Sequence, residues 1–270
     1  FEPAALQWVL TSYILTFGGF LMLGGRTADL YGRKKVLLLG IAGFSLCSLL
    51  IGFSSYSTML VILRAVQGLA AAFMAPTALS ILLTTFKEGE ERNKALSIWS
   101  IVASGGAAAG VFLGGLLTQY LGWEWCFFVN VPIGMLAIYG INKYIPAHAQ
   151  EEKDKHLDLP GAVTITGGLV TLVYALTLTT DVGWLAQQTL AAFGISIFLL
   201  AVFIFNETRA SHPLVPLSIF RVRNVTGGNL VMLPVIAGAM GLFFFLSLYV
   251  QNVLQYSPAL SGLAFLPLPI

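Results

Sequence analysis

The chain has 270 residues, of which 57% are hydrophobic and only 10% are charged, and its formal net charge is +2. A soluble globular domain carries about 25% charged residues, so the composition excludes that class. The small net charge gives no support to nucleic-acid binding.

Apolar runs long enough to cross a lipid bilayer follow one another along the chain. A membrane-spanning helix needs about 20 predominantly apolar residues. Eight runs approach or exceed this length and a ninth begins before the chain ends: residues 6–25, 36–53, 59–86, 95–123, 125–142, 159–180, 184–206, 225–250 and 259–270. The sequence therefore predicts an all-α transmembrane bundle with about eight complete spans and the start of a ninth.

The basic residues fall on alternate connections between these runs. Residues 26–35, 87–94, 143–158 and 207–224 hold thirteen of the fourteen Lys and Arg residues, and the connections between them hold none. Positively charged connections stay on the inner side of a cell membrane, so we predict these four to be cytoplasmic. Because a missed helix would break the alternation, the pattern also supports the number of spans.

The ends of the sequence indicate part of a longer protein. The alternation places Phe1 outside the cell, no signal peptide precedes it, and the chain stops at Ile270 inside an apolar run. We expect at least one further helix before Phe1 and more after Ile270. Cys47 and Cys126 lie in different spans, so no disulfide is expected.

The connection after the first run carries a compact pattern of glycine and charge, "GRTADLYGRK" at residues 25–34. We expect Gly25 and Gly32, within the motif that also holds Arg33 and Lys34, to permit sharp turns and close helix approach. Asp29 is the one acid among the four bases of this connection, so we expect it to pair with one of them or to face a neighbouring helix N-terminus. The pattern resembles the loop signature G-x-x-x-D-x-x-G-R-K/R of the major facilitator superfamily. That resemblance implies that the missing helix is the first one and that the motif latches the two halves of a transporter in one conformation. An ordinary basic topology signal remains the alternative.

Arg64 is the one base inside a predicted span. A charge at that depth costs roughly 2.5–3.5 kcal/mol on insertion scales, which disfavours an unpaired position facing lipid. Gln67 and Gly68 share its helical face, and "RAVQG" resembles the R-x-x-Q-G motif of the family's fourth helix. We predict that Arg64 faces a cavity and contacts substrate or tunes a proton-carrying acid; a side chain that reaches the outer headgroups is the alternative.

Glycine recurs at every fourth residue in the fourth run, and a further glycine follows. Gly106, Gly110 and Gly114, with Gly115, draw a smooth stripe that permits close approach of another helix. The stripe resembles the antiporter signature G-x-x-x-G-P-x-x-G-G of the family's fifth helix, although Val111 stands where proline is expected. Simple helix packing would explain the spacing equally well.

The start of the next run resembles the sixth-helix pattern of the fourteen-helix drug:proton antiporter branch, with Trp123, Trp125, Asn130 and Pro132 at the matching positions and Glu124 in place of the usual Arg. The tryptophans also suit a membrane interface. The branch implies an N-terminal bundle over residues 1–146 (helices 2–6), a cytoplasmic linker over 147–158, two inserted helices over 159–207, a cytoplasmic segment over 208–224 and the start of a C-terminal bundle over 225–270.

The resemblance implies a secondary active transporter in the plasma or inner membrane that exports hydrophobic or cationic drugs in exchange for protons. No nucleotide-binding motif is present, so no ATPase subunit or cofactor is expected, and no cluster of His, Asp or Glu at membrane depth predicts a metal or an enzyme. All acids lie in connections or at span ends, so we expect the coupling acid outside these residues. A carrier for a narrower metabolite and a non-transporting membrane sensor remain the alternatives.

Overall fold

The computed structural model describes residues 3–146, 158–211, 213–257, 260, 261 and 264, and the regular structure in these residues is helical. Short 3₁₀ and π-helical turns, Leu217–Arg221 and Tyr249–Val253, flank the last long helix. The α-helices are α1 (Pro3–Tyr31), α2 (Arg33–Gly52), α3 (Ser57–Thr85), α4 (Glu90–Tyr120), α5 (Trp125–Phe128), α6 (Asn130–Tyr144), α7 (Leu159–Asp181), α8 (Gln187–Arg209) and α9 (Arg223–Leu248).

Seven helical segments of the described chain are long and apolar enough to cross a membrane, which confirms the all-α transmembrane class. They comprise α1 from Trp8, α2, α3, α4, the α5–α6 pair taken together, α7 from Pro160 to Thr180, and α8. The eighth predicted span coincides with α9. The predicted start of a ninth span, 259–270, and most of the predicted linker, 147–157, lie outside the described residues.

The prediction that residues 26–35 form a loop is wrong. Helix α1 continues through Tyr31 and α2 begins at Arg33, so Gly32 alone separates them. Its φ of 96° lies in the left-handed region that glycine adopts without strain. The prediction ended each helix where its apolar run ended, but the backbone bonds of a helix do not depend on apolar side chains. Helix α4 likewise begins early, at Glu90, where acidic residues suit a helix N-terminus.

The chain divides into two compact units, Phe1–Ile81 with Val131–Pro216, and Leu82–Asn130 with Leu217–Ile270. In the first unit α7 and α8 form a helical hairpin, in which the buried Ser196 donates from Oγ to the Gly168 carbonyl over 2.9 Å. Helix α7 in turn packs on α1, where Thr166 Oγ1 donates to the Gly19 carbonyl over 2.7 Å. The predicted pair of inserted helices is therefore fixed to the first helix of the described chain.

The second unit holds α4, α5 and α9. Cys126 of α5 contacts α4, with its Sγ 3.3 Å from Thr118 Oγ1. Thr226 of α9 donates to the Phe220 carbonyl in the preceding 3₁₀ turn. None of the residues of α4 is buried, which distinguishes this helix from α2 and α3 of the first unit. The predicted domain boundaries stay a prediction.

Candidate functional site

Arg64 contacts a backbone carbonyl, an amide and an aromatic ring where α3 meets α1. Its Nε donates to the Val9 carbonyl over 3.0 Å, and its Nη1 donates to Gln67 Oε1 over 2.7 Å. The guanidinium carbon lies 4.2 Å from the centroid of the Tyr13 ring, within the range of a cation–π contact. These contacts fix the position of the guanidinium at the depth of the apolar run.

Gln67 transmits this contact to a third helix. Its side chain is only 1% exposed, and its Nε2 donates to Ser48 Oγ of α2 over 2.7 Å. The amide oxygen thus faces Arg64 and the amide nitrogen faces Ser48, which uses both ends of the amide. Arg64 and Gln67 do share one face, as the sequence predicts, and together they join α1, α2 and α3.

The backbones of α1 and α3 approach closely one turn further along. We define the α1–α3 seam as Ser12, Thr16, Val61, Ala65 and Gly68. Ser12 Oγ donates to the Val61 carbonyl over 3.2 Å, and Thr16 Oγ1 donates to the Ala65 carbonyl over 2.7 Å. A Cβ added at Gly68 would overlap the Tyr13 carbonyl oxygen and Thr16 Oγ1. Only glycine fits at position 68, so its place beside Arg64 and Gln67 has a steric cause.

No role was predicted from the sequence for five residues that take part in these contacts: Val9, Ser12, Tyr13, Thr16 and Ser48. Ser12 and Thr16 are four residues apart in an apolar run and therefore share a helical face. Small hydroxyl side chains on one face are typical of a helix contact within a membrane. The spacing of Ser12 and Thr16 could therefore have predicted the seam from the sequence. Val9 could not have been predicted, because it contributes its backbone carbonyl and its side chain gives no indication of that role.

The predicted pairing of Asp29 agrees with the geometry around Gly32. Arg33 donates from Nε and Nη2 to Asp29 Oδ1 over 3.0 and 2.9 Å, which joins the last turn of α1 to the first turn of α2. Both side chains are partly exposed. Leu30, where the family pattern commonly has a base, is 1% exposed, so an apolar side chain fits this packed position.

Lys34 and Gly24 extend the motif to other helices. Lys34 Nζ donates to the Asn142 and Ile145 carbonyls over 3.3 and 2.5 Å, at the C-terminal end of α6, where a cation is stabilised by the helix dipole. The close approach predicted at Gly25 occurs one residue earlier: a Cβ at Gly24 would overlap the Ala72 carbonyl oxygen, whereas one at Gly25 would make an ordinary 3.6 Å contact with Pro76.

The glycine stripe of α4 has no close neighbour within the part of the chain that the structure describes. A Cβ added at Gly106, Gly110 or Gly114 would meet nothing within 4 Å. The Gly114 carbonyl accepts a long contact of 3.6 Å from Cys126 Sγ. The stripe, which includes Gly115, predicts a helix packed closely against α4, and that contact stays a prediction.

The predicted sixth-helix start is broken into α5 and α6. Pro132 has no N–H to donate to the Phe128 carbonyl, which accounts for the interruption between Phe128 and Asn130. Asn130 donates from Nδ2 to the Cys126 carbonyl over 3.2 Å and bridges the break. Trp123 and Trp125 form edge-to-face pairs with Phe127 and Phe128, with centroids 6.1 and 5.7 Å apart. These tryptophans contact rings of their own helical turn.

The comparison with known proteins identifies the class to which this helical architecture and its motifs belong. The sequence profile of the Major Facilitator Superfamily matches residues 1–270, so the chain belongs to that family of transporters and is a multi-pass membrane protein.

Its relatives include proteins named for antibiotic resistance or export. The chain is 44% identical over 264 residues to the puromycin resistance protein pur8 of Streptomyces alboniger, a match that covers 97% of this chain and 52% of the relative. It is 40% identical over 269 residues to the cephamycin export protein CmcT of Amycolatopsis lactamdurans, a match that covers 99% of this chain and 55% of the relative. It is 36% identical over 265 residues to the tetracenomycin C resistance and export protein of Streptomyces glaucescens, a match that covers 98% of this chain and 49% of the relative. The chain thus spans about half the length of these relatives.

Proposed function

We infer that the protein to which this chain belongs is a proton-coupled exporter of hydrophobic or cationic drug-like molecules that works by alternating access. The contact between Arg64, Gln67 and Tyr13 is the observation that supports this function best. A guanidinium whose position is fixed by a carbonyl, an amide and an aromatic ring suits a group that orients a substrate or tunes a nearby acid. The names of the relatives, which speak of resistance and export, support export as the direction of transport and drug-like molecules as the substrate.

The motif around Gly32 serves in this proposal as the conformational latch. The Asp29–Arg33 pair and the Lys34 contact with α6 are polar, partly exposed and close to helix ends. Such contacts are weak enough to be broken and remade within a transport cycle. The proposal places them at the cytoplasmic side, as the distribution of basic residues predicts.

A narrower metabolite is the second candidate substrate. Val111 stands where the antiporter signature has proline, and the acidic residues whose side chains the structure describes lie at helix ends or in turns rather than in the middle of a span. Proton coupling therefore requires an acid elsewhere in the protein. No enzymatic activity is proposed, because the family is one of transporters.

Exchange of Arg64 in the full-length protein tests the proposed role. Dye export driven by a proton gradient is measured in efflux-deficient cells, with surface expression checked for each variant. Arg64→Lys should retain part of the activity, because lysine keeps the positive charge but lacks the planar guanidinium with its several N–H donors. Arg64→Ala should abolish export. Arg221→Ala, an exposed base in the 3₁₀ turn, is the matched control and should export like the parent.

Two results would reject parts of the proposal separately. Export by Arg64→Ala at the parental rate would show that Arg64 only anchors α3 at the membrane surface. Failure of the parent itself to export any dye or drug, despite normal expression, would favour the narrower-metabolite carrier.

A further inference from the structure

Two acidic side chains meet where the α7–α8 hairpin begins and ends. Asp158 caps α7, with Oδ1 accepting from the Gly161 N–H over 2.8 Å, and its Oδ2 accepts from Asn206 Nδ2 over 2.8 Å. Glu207, in the last turn of α8, is only 4% exposed, and its Oε2 accepts from the Val215 N–H over 2.8 Å. Three of the four carboxyl oxygens therefore have a donor.

The fourth oxygen is buried and faces the other carboxyl. Among the described residues no donor reaches Glu207 Oε1. This atom and Asp158 Oδ2 crowd the same point beside Gly161, at 2.8 and 2.5 Å from the position that a Cβ would occupy, and the two side chains lie within hydrogen-bonding reach. Two ionised carboxylates only accept hydrogen bonds, so as anions they would repel each other without any compensating bond.

Basic side chains do not relieve this repulsion in the part of the chain that the structure describes. The ion pairs found there are Asp29–Arg33 and Glu88–Arg92. Arg209, in the same turn as Glu207, has its guanidinium over the Phe205 ring at 4.2 Å from the centroid. Within the described ranges 158–211 and 213–257, the groups that face Glu207 are Asp158 at the start of α7 and the backbone of the segment around Val215.

We propose that Asp158 and Glu207 form a binding site for one proton. Asp158 is the ionised member, because it accepts an N–H at the positive end of α7. Glu207 carries the proton on Oε1 and donates it to Asp158 Oδ2, which has a second lone pair beside the one used by Asn206. A single proton taken from the medium thus satisfies all four oxygens and leaves one negative charge at the helix N-terminus.

The site connects the hairpin to the chain that follows it. Glu207 Oε2 holds the Val215 N–H, and residues 213–216 lead directly to the 3₁₀ turn before α9. When the proton is lost, two negative charges face each other in a buried place and the Glu207 side chain is driven from its position. The folded state gains stability from the bound proton and loses it as pH rises. This inference does not depend on transport and would hold for a non-transporting relative.

Infrared spectroscopy of the full-length protein in detergent tests for the proton directly, since a protonated carboxyl has a C=O stretch distinct from that of a carboxylate. At neutral pH the parent should show a protonated-carboxyl band, and Glu207→Gln should lose the intensity of one such group. Glu91→Gln, an exposed acid in the first turn of α4, is the matched control and should leave the band unchanged. An equal band in the parent and in folded Glu207→Gln would overturn the proposal.

The melting temperature as a function of pH supplies a second readout. As the pH is raised from neutral, the parent should lose more stability than Glu207→Gln or Asp158→Asn, because each amide removes one of the two facing negative charges. Asp158→Asn keeps the proposal testable if Glu207→Gln does not fold. Identical pH dependence in the parent and both variants would contradict it. Stabilisation of the parent by Mg²⁺ at high pH, absent from both variants, would show that a metal cation occupies the site in place of the proton.

Discussion

The α1–α3 seam in the first unit and the glycine stripe of α4 in the second unit look alike in sequence but differ in structure. Both place small residues on one face of an apolar helix. At Gly68 an added Cβ would overlap the backbone of α1, whereas at Gly106, Gly110 and Gly114 it would meet nothing within 4 Å among the described residues. Small residues therefore permit a close helix contact without specifying its partner.

The polar groups around each glycine explain the difference. The seam adds hydroxyl bonds from Ser12 and Thr16 to carbonyls of α3, and beside it lies the contact of Arg64 and Gln67. Hydrogen bonds between helices orient a membrane contact that dispersion alone leaves loosely defined. The hydroxyls of Ser97 and Ser100 on α4 donate within their own helix, to carbonyls four residues earlier.

The strongest test of this comparison is the addition of one methyl group to each region. Gly68→Ala should destabilise the protein by about 1–3 kcal/mol, because the methyl group overpacks the seam. Gly110→Ala should leave stability nearly unchanged. Thermal unfolding of the full-length variants in detergent measures both. Equal losses would mean that the stripe has a close partner in the complete protein.

Removal of the Gln67 amide should have the next largest effect. Gln67→Leu deletes the bonds to Arg64 and Ser48 and should cost about 1–2 kcal/mol, the range measured for polar contacts between membrane helices. It should also lower export, because the Arg64 side chain loses a bond that fixes its position. Ser48→Ala, which leaves the Arg64 bond intact, is the control and should cost less. A larger loss for Ser48→Ala would indicate that α2, and not Arg64, depends on Gln67.

The bond between Thr166 and Gly19 should contribute less. Thr166→Val keeps the shape of the side chain and removes one buried hydrogen bond, for an expected loss of about 0.6 kcal/mol. Thr118→Val on α4, which is exposed, is the matched change in the second unit and should have no measurable effect on unfolding. Hydrogen exchange of α7 amides after Thr166→Val shows whether the hairpin has loosened; unchanged exchange would mean that apolar packing alone holds it.

Of these changes, Asp29→Asn should have the smallest effect on the free energy of unfolding and the largest effect on the rate of transport. Its i,i+4 pair with Arg33 is partly exposed, so the change should cost no more than about 0.3–0.5 kcal/mol. Transport in the complete protein should slow while substrate binding stays near the parental value, as expected for a latch. Glu88→Gln, which breaks the comparable pair with Arg92, is the control and should not slow transport. Normal transport by Asp29→Asn would reduce the motif to a topology signal.

Contacts between residues close in sequence could be predicted best. The shared face of Arg64 and Gln67 follows from a spacing of three residues, and the pairing of Asp29 with a neighbouring base follows from its being the one acid among four bases. The roles of Val9 and Ser48 could not be predicted, because they depend on how separate helices pack. The meeting of Asp158 with Glu207, 49 positions apart, likewise requires the α7–α8 hairpin to be known.

The connection between α1 and α2 consists of Gly32 alone and is too short to let the two helix ends move far apart. Successive Cα atoms are about 3.8 Å apart, so one intervening residue prevents these two helix ends from sliding past each other. Relative movement of α1 and α2 is therefore restricted to a pivot at this end, with the largest displacement at the opposite ends of the two helices. The Asp29–Arg33 bond spans that pivot and limits its angle. Distance measurements between spin labels would show this as a narrow distribution near Gly32 and a broad one between the first turn of α1 and the last turn of α2.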